Sequence, residues 1–377
     1  MTTARVLILG GYGNFGSYIA RRLAADPNVA LVIGGRSFDK AQVLVAGLDA
    51  ANPAQALAID VTGDMEGALA AARADVVIHT VGPFQGQSYR VAEACIAAGA
   101  HYLDLADARG FVTGIGALDA AARGAGVAVI AGASSVPALT AAIVERYRGH
   151  FARLKSLDYG ISTAEQGSRG LATAAAVLSY VGKPMRMLRG GQWVEAIGWQ
   201  DLHAETYPEF GRRLFGNCDI SDLDLFPARW PELETVRFCA GHEVAALHLG
   251  TWAMSWPVRW HLLPRLSRFA PVLLAASRLF DWASSGRSGL HMILTGEDAV
   301  DGDAAGRAKE IRFYLLARSG DGPYVPCIPS ILLAKRLAAG ETVPPGARPC
   351  LDLITLDQYL GALEGLDISI LVEGADA

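Results

Sequence analysis

The strand-like run Val6–Leu9 leads straight into Gly10-Gly11-Tyr12-Gly13-Asn14-Phe15-Gly16 and then into a helical pattern. Gly11, Gly13 and Gly16 form a GxGxxG motif placed between a strand and a helix. In that setting the first glycine allows a tight turn and the second lets backbone approach a pyrophosphate. The third lets helix and strand pack closely, and the helix N-terminus offers N–H groups to an anion. Alone the motif is weak; its weight comes from the chain behind it.

Residues 1–132 alternate short apolar runs with helical patterns. Val6–Leu9, Val29–Ile33, Ala56–Ile59, Asp75–Thr80, His101–Leu105 and Val127–Ile130 read as strands. Asn14–Ala25, Lys40–Leu48, Met65–Ala72, Gly86–Ala98 and Ile115–Arg123 read as helices. Strands apolar on both faces, alternating with helices, predict a doubly wound parallel sheet of the Rossmann kind. After Pro137 the rhythm changes. Leu290–Thr295 and Glu310–Ala317 read as a hairpin, so antiparallel or mixed sheet is expected in a second, α+β domain. Residues 183–243 show few clean periods, and helical runs recur at Ser330–Ala339 and Leu356–Leu363. The expected division is 1–135 for the nucleotide domain and 136–321 for a substrate and dimerisation domain. Residues 322–377 are expected to return to the first domain.

The second strand discriminates between cofactors. An acidic side chain at its end would grip ribose hydroxyls, as in NAD enzymes, but this chain carries Gly34-Gly35-Arg36-Ser37, with Lys40 a turn later. A guanidinium there can fork onto a 2′-phosphate, and Ser37 adds a hydroxyl, so NADP(H) is expected over NAD(H). Asp60 ends the third strand and is read as meeting the adenine edge or capping a helix. Val81, Gly82 and Pro83 follow the fourth strand, where backbone can approach the nicotinamide half. Ser134, with Ser135, follows the sixth strand and is read as a carboxamide partner or a helix cap.

These residues resemble a known family. GGYGNFG, GGRSFDKA, TVGPFQGQSYRVAEACIAAGAHYLDLADARGF and AGASSVPALT are similar to segments of the saccharopine dehydrogenase (saccharopine reductase) superfamily, nearest to its bacterial saccharopine dehydrogenase-like oxidoreductases. The likeness covers roughly residues 4–145 and continues more weakly through GSRGLATAAAVLSYVGKP and SGDGPYVPCIPSILLAKRLAAG. It implies a Rossmann domain followed by an α+β domain, with the chain then returning to pack against the first domain, a nicotinamide cofactor, usually NADP(H), often a homodimer, and chemistry at a C–N bond. Relatives also include a trans-acting enoyl reductase on lipid chains. Residues 150–320 show no match to the arginines expected to bind an amino-dicarboxylate, which leaves the substrate open.

Hydride transfer asks the protein for orientation, a dry pocket and one proton donor or acceptor. Tyr102, Asp104 and Asp107 end the fifth strand and are the candidates, with turn or helix capping as the alternative for the aspartates. Arg169 is a weaker candidate for an anionic substrate group. His203, His242, His248 and His291 lack paired metal-ligand spacing, and no metal site is expected. Cys95, Cys218, Cys239, Cys327 and Cys350 are scattered, which argues against disulfides and fits a cytoplasmic location. The first apolar run is too short for a signal peptide.

Charged residues make up 19% of the chain, against a usual share of about 25%. The 33 basic and 38 acidic side chains leave a net charge of −5 without a basic block, so a nucleic-acid partner is not expected. Part of the apolar excess lies in Ala245–Trp282, dense in Trp and Leu and interrupted by arginines and prolines. It reads as a lid or subunit interface, or as a segment in peripheral contact with a membrane. It also suggests a hydrophobic small-molecule substrate. The functional expectation is an NADP(H)-dependent oxidoreductase acting at C=N or C–N. The alternatives are an enoyl reductase acting on a lipid or polyketide acyl chain and a non-catalytic NADP-binding scaffold.

Overall fold

Val6, Leu7, Ile8 and Leu9 are all buried, which requires cover on both faces of their strand. That strand, β1 (Ala4–Leu9), lies within a seven-stranded parallel sheet. Its other members are β2 (Val29–Gly35), β3 (Gln55–Ala58), β4 (Val76–His79), β5 (His101–Asp104), β6 (Ala128–Ala131) and Gly346–Pro349. The order is β3-β2-β1-β4-β5-β6, with Gly346–Pro349 beyond β6. Val6 sits opposite Leu31 on one side and Val76 on the other. The parallel, Rossmann-like sheet read from the sequence is therefore present.

Helix α1 (Asn14–Ala24) follows β1 and buries Ile19, Ala20 and Leu23. Arg21 and Arg22 occupy its last turn, where the helix dipole favours cations. Helix α2 (Phe38–Ala46) follows β2. The helix expected from Gly86 begins only at Arg90, so residues 82–89 form a loop after β4. That loop length matters for the site.

The computed structural model describes residues 3–165, 170–299 and 306–375. The chain forms two units, Met1–Leu139 with Pro323–Ala362, and Thr140–Gly322 with Leu363–Ala377. The expected return of the whole stretch 322–377 to the first unit needs correcting. Ile368–Glu373 pairs antiparallel with a strand of the second unit, and this ladder takes the last residues there.

The second unit holds a nine-stranded mixed sheet. It comprises β7 (Phe151–Thr163), β8 (Pro184–Arg189), β9 (Gln192–Ile197), β10 (His203–Tyr207), β11 (Gly211–Asn217), β12 (Thr235–His242), β13 (Ser288–Asp298), β14 (Ala308–Ala317) and Ile368–Glu373. The main order is β10-β11-β12-β7-β13-β14 and then Ile368–Glu373, with the β8–β9 hairpin attached to β12. β12 and β7 run parallel; the other described pairs are antiparallel. The β13–β14 hairpin was legible in the sequence, whereas five strands fall in the stretch 183–243 that read as irregular. All five cysteines are buried and free. No helix among the described residues is long and apolar enough to cross a membrane.

Candidate functional site

Parallel strands align their carboxyl ends at one sheet edge, and the loops leaving those ends carry most of the candidate residues. Gly10 and Gly11 each donate their N–H to Gly34 O, at 2.9 and 3.0 Å, which fastens the glycine loop to β2. The Thr80 hydroxyl donates to Leu9 O at 2.8 Å and fastens it to β4 as well. Gly16 packs against the loop so closely that a Cβ would lie 2.4 Å from Gly10 O and 2.7 Å from Gly11 Cα. Helix α1 starts from Gly13, a cap residue without a side chain, so Asn14, Phe15 and Gly16 form its first turn directly after the glycine loop.

Tyr12 links the two loops expected to grip a dinucleotide. Its hydroxyl accepts the Ser37 N–H at 3.0 Å, and its ring lies where a Cβ on Gly35 would be, 2.4 Å from Tyr12 Cε1. A tyrosine in a glycine loop gave no signal of that reach. Ser37 caps α2 by accepting the Lys40 N–H at 3.4 Å, which leaves its own O–H to donate. Arg36 and Lys40 are exposed. The Arg36 charge also reaches Asp60, whose carboxyl is held below its usual range chiefly by the backbone and hydroxyl donors of Thr62. Those bonds, 2.9 and 2.8 Å, make Asp60 a turn former; the following helix is capped by Asp64 instead.

The loop after β4 is braced by Gln87, a role that no local motif signals. Gln87 Nε2 donates to Val81 O at 2.9 Å and to Pro83 O at 2.7 Å, arching residues 81–83 over the brace. Val81 and Gly82 are half-buried and Pro83 is exposed. Ser134 is buried where the chain leaves β6.

The acid–base candidates separate. Tyr102 and Asp104, expected to face an open crevice, are instead fully buried. Tyr102 OH lies 3.0 Å from His79 Nδ1. Asp104 Oδ1 accepts the N–H groups of Ala106 and Gly132 at 2.9 and 2.8 Å, which joins the ends of β5 and β6. Burial pushes the Asp104 pKa up to about 6 and that of His79 down to about 3, so His79 is a neutral imidazole. These groups shape the sheet edge from beneath. Asp107 is half-buried, receives Gln85 Nε2 at 3.2 Å, and has its pKa raised by burial. Arg169 lies outside the described residues.

The second unit carries its own polar clusters. His242 Nδ1 lies 3.0 Å from Oε1 of buried Glu165, whose other oxygen accepts the Val244 N–H at 3.1 Å. Arg213 and Glu243 form a buried ion pair at 3.2 Å. Asp158, His203 and Cys239 bring potential ligand atoms within 4.8 Å of one another. Arg237, however, places its guanidinium 2.7 Å from His203 Nδ1 and 3.4 Å from Asp158 Oδ2. A fixed positive charge thus fills the role a cation would take.

Residues 6–130 match the family model of the saccharopine dehydrogenase NADP binding domain. The match spans about a third of the chain and lies within the first unit. The superfamily resemblance drawn from the motifs is thereby borne out. Among solved structures, saccharopine dehydrogenase (L-Glu forming) from Saccharomyces cerevisiae matches with a TM-score of 0.68 at 15% identity, covering 98% of this chain and 100% of its own. At that identity the likeness is one of fold. An amine dehydrogenase from Mycobacterium smegmatis matches at 12% identity with a TM-score of 0.45, over 94% of this chain and 95% of its own. GenD2 from gentamicin A biosynthesis, in complex with NAD, matches at 15% identity with a TM-score of 0.45, over 97% of this chain and 92% of its own. No curated protein matches the chain in sequence. The saccharopine dehydrogenase-type domain comprises the glycine loop, Arg36 and the loop after β4.

Proposed function

We propose that the chain is an NADP(H)-dependent oxidoreductase of the saccharopine dehydrogenase-like kind, acting on a C=N or C–N bond of a small molecule. The observation that carries this reading is Arg36, exposed at the carboxyl end of β2 where a ribose-binding carboxylate would otherwise stand. The residues present fit a dinucleotide: a helix N-terminus that opens from a glycine cap, a glycine that admits no Cβ, and basic groups at Arg36 and Lys40.

When bound, a nicotinamide dinucleotide supplies or accepts the hydride. The glycine loop and the first turn of α1 would hold its pyrophosphate. Arg36, Ser37 and Lys40 would hold the 2′-phosphate, with Tyr12 fixing the loop that presents them. Residues 81–83, braced by Gln87, would position the nicotinamide half. Asp107 is the group we assign to proton handling, because it is half-buried where Tyr102 and Asp104 are sealed, and burial favours its protonated form.

Fluorescence titration with NADPH and NADH tests the cofactor. Tighter binding of NADPH, with the preference erased in Arg36→Glu, is expected; equal affinities in the unaltered protein refute it. NADPH consumption with amino acid and 2-oxo acid pairs tests the reaction. The exposed apolar surface within Ala245–Trp282 favours a second reading, reduction of an acyl C=C, and an unsaturated acyl thioester in the same assay separates the two. Binding without turnover on either would leave a nucleotide-binding scaffold.

A further inference from the structure

Residues 245–283 fold as the helix Ala245–Arg259, a turn at Leu266–Phe269, the helix Ala270–Ser277 and a last turn at Arg278–Ala283. Their inner face is satisfied. Val258, Leu266 and Ala270 are buried against Leu178, Val181 and Trp199, with Met254 and Leu273 packed beside them. The outer face has no such cover. Trp260 is 60% exposed, Leu262 72%, Val272 68%, Leu279 75% and Trp282 83%. Side chains lining a groove would be half-buried, so these stand out from the surface.

Charge narrows the partner. Ala245–Trp282 contains four arginines, at 259, 265, 268 and 278, against one acidic residue, Asp281, within a chain of net charge −5. All four are exposed; Arg259 is anchored by Gln200 Oε1 at 2.7 Å. Trp252, Trp256 and Trp260 form a ladder along the first helix, with ring centroids 6.1 and 5.6 Å apart. Protruding Trp and Leu among arginines match a lipid interface, where indole sits at headgroup depth and guanidinium forks onto phosphate. An isologous contact between two copies would set arginine against arginine instead.

We propose that residues 245–283 form a peripheral docking surface for an anionic lipid bilayer, entered by the Trp and Leu side chains and held by the arginines. Because no described helix can span a bilayer, the contact is interfacial and reversible. The proposal does not depend on the cofactor or the substrate.

The test is co-sedimentation of the full chain with vesicles of phosphatidylcholine alone or with phosphatidylglycerol added, at low and high salt. Selective binding to the anionic vesicles, weakened by salt, is expected. Arg265→Ala with Arg268→Ala should weaken partitioning about 25-fold, at about fivefold per arginine. Leu279→Ser with Trp282→Ser should abolish it. Both variants change exposed side chains, and circular dichroism confirms folding. Absence of binding, or equal binding to neutral and anionic vesicles, overturns the proposal. So does a dimer by analytical ultracentrifugation that the Leu279/Trp282 variant converts to monomer without any vesicle binding.

Discussion

Asp222 offers a measurable consequence of burying a carboxyl group in the second unit. It is fully buried, and its Oδ2 accepts the hydroxyls of Thr140 at 2.6 Å and Tyr159 at 3.1 Å. Burial raises its pKa from 3.8 to about 7, even though the hydroxyl donors of Thr140, Tyr159 and Ser221 pull the other way. Between those two values the unfolded chain has released the proton and the folded chain still holds it. Stability from this group is therefore fully present below pH 3.8 and is lost as pH rises through about 7. The interval is about three units, and at ~1.4 kcal/mol per unit the loss has an upper bound of about 4 kcal/mol. Asp222→Asn removes the ionisation and keeps an oxygen able to accept both hydroxyls, while Ser221 turns its hydroxyl to receive the new amide N–H. Urea unfolding followed by tryptophan fluorescence, at several pH values from 4 to 8, yields the difference between variant and parent. That difference should move in favour of Asn by up to ~4 kcal/mol as pH rises. A difference that stays flat across the range refutes the argument, because it would mean that Asp222 titrates alike in both states.

Three further predictions address the nucleotide site. Gly16→Ala places a Cβ 2.4 Å from Gly10 O, a backbone atom with little room to yield, and should cost about 1–3 kcal/mol in chemical denaturation and abolish NADPH binding by calorimetry. Tyr12→Phe removes the acceptor for the Ser37 N–H, so NADPH affinity should fall about fivefold while NADH affinity changes less, as read by parallel titrations. Asp107→Asn should lower kcat by about 10²–10⁴ once a substrate is found and leave the NADPH dissociation constant unchanged; an unaltered kcat removes Asp107 from the reaction.

The first unit was legible because its signals are local. Ile8 and Leu9, the glycines after them and the amphipathic α1 sit within a few residues of each other, and Val6–Leu9 of β1 are buried on both faces, so that run is apolar. The second unit hides its strands for a physical reason. β9 is exposed or half-buried along its whole length and needs no apolar alternation, and β12 alternates but pairs in parallel with β7, far away in the chain. The tail follows the same rule: Ile368–Glu373 is assigned by its ladder to β14, with Arg312 opposite Glu373.

Position in the chain also misled about chemistry. Asp104 ends the parallel strand β5, and Tyr102 lies two residues before that end. A strand end, however, has side chains beneath the edge as well as beyond it. Oδ1 of Asp104 takes the N–H groups of Ala106 and Gly132, and the tyrosine faces His79. Asp107 follows the strand, and its place in the loop keeps it half-exposed. Sequence thus identifies the edge of a parallel sheet more readily than it tells which side chains there can reach a ligand. The loop residues Tyr12, Gln87 and Asp107, whose roles depend on contacts beyond their own strand, are where mutational effort belongs.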